Sequence, residues 1–223
     1  MHIGLIGSIA PAATDFYYRS LVKKSMSKHI NLDKTIFHAD APTLVRNLMN
    51  DNKDVQVVIY EGLTQRLKNA GADCVAITLI AGYFCIERFK ETSALPVVDM
   101  LSCIQKEVSK RGYGKIGILG TKPVMESKFN SGINSTEINL PEGNLLEEVH
   151  KAYVEMATSD SATDEQKQVF ETACNQLINK NKVDAVMLGG TDLALVYNSD
   201  NVDFELIDCE EIHVAELFNI RKD

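Results

Sequence analysis

Small and hydroxyl-bearing residues follow several short apolar runs of this chain, where they could hold an anionic group. The stretch GSIAPAAT (7–14) precedes a predicted helix, so its backbone N–H groups and the hydroxyl of Thr14 could bind a carboxylate or a phosphate. The alternative is a strand-to-helix turn that Thr14 caps. This turn is not a P-loop, since GxxxxGK[ST] is absent, and it does not match GxGxxG either, which argues against the two common nucleotide-binding loops at this place. The candidate binding residues of this turn are Gly7, Ser8 and Thr14.

The stretch GGTDLAL (189–195) offers a second set of such residues. Its two glycines, of which Gly190 is the second, would let a backbone approach a ligand closely, and Thr191 and Asp192 follow at a predicted helix start. Either side chain could instead be a helix N-cap. Thr78 occupies the equivalent place after an earlier apolar run, so ligand contact and capping are both open for Thr78 and Thr191.

Arg46 and His213 are further candidates for ligand contact. An Arg in the short helix predicted around Arg46 could hold a carboxylate bidentately, although a solvated helix face is the alternative. His213 follows Cys209 near a predicted strand end and could face a ligand, or it could pack on the surface of a lobe. The histidines lack metal-ligand spacing, and the five cysteines include no CxxC, so we expect free thiols and no metal site.

The elements that must position these residues occur twice along the chain. The matched apolar runs are HIGLIGS (2–8) with KIGILGT (115–121), ADCVAITLI (72–80) with VDAVMLGGT (183–191), and LPVVDML (95–101) with FELIDCE (204–210). Each run is typical of a strand buried on both faces of a parallel sheet, and helix-length amphipathic sequence separates the runs. The pattern predicts an α/β fold.

Helix signals lie between these runs. DVQVVIYEGLTQRLKNAG (54–71) ends in a Gly suited to a left-handed C-terminal cap. EGNLLEEVHKAYVEMA (142–157) is a predicted helix, and TDEQKQVFETACNQLINK (163–180) is another, opened by Thr163 and Gln166 in capping-box spacing.

The repeat predicts two similar lobes related by pseudo-two-fold symmetry, each a mainly parallel sheet flanked by helices. We expect an N-terminal lobe of residues 1–98 with 208–223 and a C-terminal lobe of residues 99–207. Ligands of open parallel sheets bind beyond the carboxyl ends of the strands, so the site is expected in the cleft between the lobes. The alternative is one large sheet whose apolar strands are similar by chance.

Composition narrows the classes of partner. The chain has 223 residues, a hydrophobic content of 45% and a net charge of −8, which suits a globular protein and argues against nucleic-acid binding. We find no apolar run of about 18 residues and no signal-peptide pattern, so we expect no membrane segment and a cytoplasmic location.

Four stretches together resemble the aspartate/glutamate racemase superfamily. IGLIGSIAPAATDFYYR is similar to that family's opening IGxxGGMGPxAT, and GADCVAIT to its GAD-led strand. VMLGGTDLAL is similar to its V-[IL]-L-G-C-T-E strand end, and VDFELIDCEEIHVAEL to its closing D-[TS]-x-x-I-H segment. The resemblance implies a two-lobed α/β protein, with no cofactor, that binds a small amino acid or carboxylate, and it suggests a homodimer.

The resemblance also implies two catalytic cysteines, one on each wall of the cleft. One thiolate would remove the Cα proton while the opposite thiol supplies one, and a thiol can be tuned to either role. This chain departs from that pattern, because the first position falls on Leu79 or Thr78 and the second on Gly190.

Three residues are candidates to replace the missing thiols. Cys85 and Cys209 follow the first and last motifs and could form a displaced pair, although free cysteines are commonly small core residues. Asp192 aligns with the family's Glu and could carry a proton, with N-capping as the alternative.

The sequence thus supports three hypotheses of function. The first is a cofactor-independent isomerase, a racemase or epimerase, that acts at the Cα of a small amino acid, acidic ones included, or of a hydroxy acid, with an altered acid/base pair. The second is a catalytically silent amino-acid-binding protein. The third is a lyase or decarboxylase that uses a single acid/base group.

Overall fold

The computed structural model describes residues 1–7, 11–126, 133, 136–159, 161–198 and 201–220. The chain divides into two compact units, each of which is described by itself. Unit 1 comprises Met1–Met100 with His213–Asp223, and unit 2 comprises Leu101–Ile212. The lobe boundaries expected from the sequence stay a prediction.

Unit 1 contains a three-stranded parallel sheet. Its strands are β1 (His2–Gly7), β2 (Asp33–His38) and β3 (Cys74–Ile77), in the order β2-β1-β3. Its helices are α1 (Pro11–Lys28), α2 (Ala41–Met49), α3 (Lys53–Asn69) and α4 (Ile86–Thr92), with a 3₁₀ helix over Ile80–Cys85. β3 is buried at every position, because it is the apolar run of a strand covered on both faces.

The end of α3 matches the predicted cap. Gly71 follows the helix with φ of +92°, in the left-handed region that favours glycine. The next expected element differs from the prediction, because LPVVDML (95–101) makes only one parallel bridge, between Val75 and Val97. Pro96 has no N–H to offer a ladder, and a helix already begins at Met100.

Unit 2 contains a four-stranded parallel sheet. Its strands are β4 (Lys115–Leu119), β5 (Glu137–Asn139), β6 (Ala185–Leu188) and β7 (Leu206–Asp208), in the order β5-β4-β6-β7. Its helices are α5 (Met100–Arg111), α6 (Lys122–Met125), α7 (Asn144–Ser159) and α8 (Asp164–Asn175), followed by a π turn over Gln176–Lys180. A 3₁₀ helix spans Thr191–Leu195, and α9 (Cys209–Asn219) runs from unit 2 into unit 1.

The capping box predicted before α8 is confirmed. The hydroxyl of Thr163 accepts from the backbone N–H of Gln166 at 3.3 Å, and the side chain of Gln166 accepts from the backbone N–H of Thr163 at 2.9 Å. The two bonds satisfy donors that the first turn of a helix leaves without partners.

The predicted α/β fold, with two parallel sheets flanked by helices, is confirmed. Across the described residues, every helix is too short or too polar to cross a membrane.

Candidate functional site

Two threonine hydroxyls lie together at the carboxyl ends of β1 and β3. Thr78 follows β3 directly and is fully buried, and its Oγ1 lies 3.0 Å from Oγ1 of Thr14 in the first turns of α1. The backbone N–H of Thr78 donates to the carbonyl of Ile6 at 3.1 Å, which ties the end of β3 to β1. The pair presents hydroxyl groups of the kind that bind a carboxylate.

Gly7 is necessary for this arrangement. A Cβ at Gly7 would lie 2.6 Å from Oγ1 of Thr14, closer than a real contact allows. Any larger residue at the end of β1 would therefore push Thr14 away from Thr78. The structure brings Gly7, Thr14 and Thr78 together, while Ser8 lies outside the described residues.

The end of β6 in unit 2 carries a second group of polar side chains. Gly189 and Gly190 follow the strand and lead into the 3₁₀ helix that begins at Thr191. A Cβ at Gly190 would lie 2.1 Å from the hydroxyl oxygen of Tyr153, a residue of α7. The tyrosine hydroxyl thus occupies the space that any side chain at Gly190 would need.

Asp192 is held in this group by the same tyrosine. The hydroxyl of Tyr153 donates to Oδ2 of Asp192 at 2.6 Å. Asp192 is 5% exposed, and its Oδ1 is buried with no hydrogen-bond partner among the described residues. A buried carboxylate oxygen without a donor is costly, so this atom is available to a proton or to a ligand donor.

Further carboxyl groups lie where β7 ends and α9 begins. Glu210 lies in the first turn of α9, and the neighbouring Thr191 partly offsets the rise in its pKa. Burial, with a smaller contribution from the charges of Asp208 and Asp192, raises the pKa of Glu210 well above its usual range. Asp208 accepts from the backbone N–H groups of Glu210 and Glu211 at 3.0 and 2.9 Å, which caps α9, and burial raises its pKa too. The cluster is acidic.

The pKa of Tyr153 is also raised, as are those of Glu210 and Asp208. Burial contributes most, followed by the negative charge of Asp192. Tyr153 therefore keeps its proton and acts in the resting protein as a hydrogen-bond donor to Asp192.

Residues 6–217 match the model of the Asp/Glu/Hydantoin racemase family. The chain belongs to this family. No curated protein sequence matches the chain.

Solved structures of racemase relatives share the fold of this family member at low sequence identity. A candidate Asp/Glu racemase from Yersinia pestis has a TM-score of 0.87 at 18% identity, covering 98% of this chain and 97% of the other. An aspartate racemase homologue from Pyrococcus horikoshii has a TM-score of 0.82 at 22% identity, covering 97% and 96%. Glutamate racemase from Francisella tularensis, in complex with D-glutamate, has a TM-score of 0.67 at 17% identity, covering 97% and 79%.

The racemase-family positions expected to carry thiols hold none. Thr78 and Leu79 follow β3, and Gly190 follows β6. Cys85 is buried at the end of the 3₁₀ helix, with its Sγ 3.9 Å from the carbonyl oxygen of Gly82, and burial raises its pKa to about 12. Cys209 is buried, and burial raises its pKa well above the usual range. Neither thiol is activated in its unit, because activation requires a lowered pKa.

Arg46 lies apart from the threonine pair of unit 1. It is exposed on α2, where its Nη2 donates to Oγ1 of Thr43 at 3.1 Å. With Val45 and Met49 it lines an open surface depression of about 670 Å³. Among the described residues, no hydrogen bond joins Arg46 to Thr14 or Thr78.

His213 lies in the core of unit 1. The hydroxyl of Tyr17 is 2.6 Å from Nδ1, and Nε2 is 2.9 Å from the carbonyl oxygen of Val98. The carbonyl can only accept, so Nε2 carries the proton and Tyr17 donates to Nδ1. Both ring nitrogens are thus engaged, and a direct contact with a ligand would require one of these bonds to break.

Tyr153 is the functional candidate that sequence reasoning missed. The sequence predicts its helix correctly, but a helical pattern does not show which distant residue the helix faces. The only signal in the sequence is a glycine at 190 together with an aromatic residue at 153 in the helix before α8. In the described residues we find no cluster of three or more His, Cys, Asp or Glu side chains that could hold a metal ion.

Proposed function

We propose that this protein is an isomerase that moves the proton at the Cα of a small amino acid without a cofactor. The observation that carries the proposal is the buried Oδ1 of Asp192, which has no partner in the described structure while Tyr153 holds the other oxygen. Family membership supports a racemase-type reaction.

Asp192 is the proton carrier of unit 2 in this proposal. Its carboxylate group takes up the proton that leaves Cα on one face, directly or through Tyr153, while solvent supplies a proton to the opposite face of the carbanion. Such acid/base catalysis contributes roughly 100- to 10,000-fold to a rate. The hydrogen bond from Tyr153 fixes the orientation of the carboxylate, so that Oδ1 is the oxygen left free.

The hydroxyl groups of unit 1 are the proposed carboxylate-binding residues. Thr14 and Thr78 lie 3.0 Å apart, and the N-terminal turn of α1 adds the favourable end of a helix dipole. The hydroxyl of Thr78 donates to the carbonyl oxygen of Ile6 at 3.3 Å, so Thr14 is the donor of the 3.0 Å bond, and a bound carboxylate would take over the hydrogen of Thr14. Thr191 is a proposed second contact, through its buried hydroxyl.

The test of this function is proton NMR of the purified protein in D₂O with each proteinogenic amino acid as a single enantiomer, and with the matching hydroxy acids. We expect loss of the Cα proton signal for one or a few substrates, together with appearance of the opposite enantiomer on a chiral column. If no substrate exchanges and one of them raises the melting temperature, the isomerase proposal falls and a silent binding protein is indicated.

A one-group reaction is the second candidate function, and a specific observation favours it. Thr78 and Leu79 stand at the expected first thiol position, and neither side chain has a group that ionises near neutral pH. Inversion requires groups on both faces of Cα, whereas a lyase or decarboxylase can use one. Exchange with retained configuration, or release of CO₂, would establish this second function.

A further inference from the structure

The hydroxyl of Tyr153 lies against both Gly190 and Asp192 in unit 2. Its hydroxyl oxygen is 2.1 Å from the position of a Cβ at Gly190, and it donates to Asp192 at 2.6 Å. We propose that Tyr153 is the catalytic residue that exchanges the proton with Cα, and that Asp192 is the partner that takes and returns the proton of the tyrosine. This inference rests on the proposed function, and it assigns the atom that touches the substrate.

The hydroxyl of Tyr153 can lie against residue 190 because Gly190 has no side chain. With any side chain at residue 190, Tyr153 would be displaced, since a Cβ there would also lie 2.6 Å from Cζ and 2.8 Å from Cε2 of the ring. Gly190 stands at the carboxyl end of β6, the edge where ligands of parallel sheets bind. The aromatic ring of Tyr153 is anchored in α7, so the hydroxyl is held on a rigid element.

The proton transfer balances without another reactant. The Cα–H bond breaks, its proton forms a new O–H bond on Tyr153, and its electron pair stays on the substrate as a carbanion delocalised into the carboxylate. At the same time the original proton of Tyr153 moves to Oδ2 of Asp192 along the 2.6 Å hydrogen bond, which leaves a neutral carboxyl group. Reversal of both transfers returns a proton to the same face of Cα, whereas a proton from solvent on the opposite face inverts the substrate.

Coupling to Asp192 avoids a free phenolate in the interior. Tyr153 is 7% exposed, and burial together with the charge of Asp192 raises its pKa well above the usual value. A phenolate beside a carboxylate would place two negative charges on hydrogen-bonded neighbours. Passing the tyrosine proton to Asp192 as the Cα proton arrives keeps only one negative charge in the group.

The first test compares two buried tyrosines of unit 2. Tyr153→Phe removes the hydroxyl and keeps the ring, and Tyr197→Phe is the matched control, because Tyr197 is buried and its hydroxyl lies 3.5 Å from Sγ of Cys174. We expect Tyr153→Phe to lose at least about 100-fold of the Cα exchange rate, the size of an acid/base contribution. Tyr197→Phe should exchange at the wild-type rate, and melting temperatures show whether both variants fold.

The second test replaces the tyrosine with a thiol at the neighbouring position. Tyr153→Ala opens space at residue 190, so the double variant Tyr153→Ala/Gly190→Cys places a different proton carrier there. We expect it to recover exchange relative to Tyr153→Ala alone, and we expect iodoacetamide to abolish that recovered exchange but not the exchange of the wild type.

The outcomes separate this inference from the proposed function. If the wild type exchanges and folded Tyr153→Phe retains the full rate, Tyr153 is not catalytic while the proposed function stands. If the wild type exchanges nothing and the double variant gains exchange, Tyr153 blocks the site and the inference is overturned. If no variant exchanges any substrate, both proposals fall.

Discussion

At the scale of single residues, Gly7 sets the position of a neighbouring hydroxyl. Its missing side chain admits Oγ1 of Thr14 to within 2.6 Å of the Cβ position. We expect Gly7→Ala to lower the free energy of unfolding by about 1 to 3 kcal/mol, the usual cost of overpacking, as measured by urea denaturation. Adding Thr14→Ala should return most of that loss, because the clashing atoms are removed.

Gly62→Ala is the matched control for this prediction. Gly62 lies inside α3, with nothing within 4 Å of a Cβ, so alanine should raise stability by about 0.5 to 1 kcal/mol. If Gly7→Ala behaves like Gly62→Ala, the close packing of Gly7 against Thr14 is not present in solution.

His213 makes the stability of the protein depend on pH. Burial lowers its pKa to about 4, whereas the unfolded chain takes up the proton near its ordinary pKa of 6.5. A lowered folded pKa stabilises the protein above pH 6.5, and this contribution is lost as the pH falls towards 4. The loss should amount to about 3 kcal/mol in unfolding free energy.

The measurement is urea denaturation across that pH range for the wild type and His213→Gln. The variant should be less stable near neutrality but should lack this part of the pH dependence. His29→Asn is the control, because His29 is exposed in a turn with φ of +53° that asparagine tolerates. An identical pH dependence in His213→Gln and the wild type would contradict the account.

At the scale of elements, the capping box fixes the start of α8. Thr163→Ala removes the acceptor of the 3.3 Å bond from Gln166 and should cost about 1 kcal/mol of unfolding free energy. Thr172→Ala, at an exposed position inside the same helix, should instead gain a few tenths of a kcal/mol from helix propensity. Thermal unfolding of both variants checks the difference, and equal effects would show that the cap does not stabilise the helix.

The strands and helices could be predicted because their signals are local. Buried parallel strands such as β3 and β6 are continuous apolar runs, and the box at Thr163 needs only four consecutive residues. The run LPVVDML has the same apolar character, yet Pro96 and the helix start at Met100 prevent a strand. The apolar character of a run alone therefore does not distinguish LPVVDML from the runs that form β3 and β6.

The polar groups of the site were only partly predictable. Thr14 and Thr78 are separate candidates in the sequence because each follows a predicted strand, and the structure brings their hydroxyls together. Tyr153 was missed because its place over Gly190 depends on how α7 packs against the end of β6, which no local pattern encodes. Burial of His213 was missed for the same reason, since its partners Tyr17 and Val98 are distant in sequence.

At the scale of the whole molecule, the cysteines should be inert. All five lie in the described residues, are buried and form no disulfide. Burial raises the pKa of Cys74 and Cys174 to about 11 and of Cys85 to about 12, so little reactive thiolate exists near neutrality.

Thiol labelling with a chromogenic disulfide reagent tests this prediction. We expect no rapid reaction of the native protein, and reaction of all five thiols after unfolding in urea. Ser27→Cys is the control, because Ser27 is exposed on α1 and a thiol there should react at once. Rapid native labelling of Cys85 or Cys209 would instead favour a displaced thiol pair.

The central claim is that unit 2 moves a Cα proton through Asp192. Its most direct test is the rate at which Cα takes up deuterium from D₂O. The rate is compared between the wild type, Asp192→Asn and Asp164→Asn, a control at an exposed residue, with the same concentration of folded protein in each sample. The account predicts that Asp192→Asn loses at least about 100-fold while the control matches the wild type. Exchange by Asp192→Asn at the wild-type rate would contradict it.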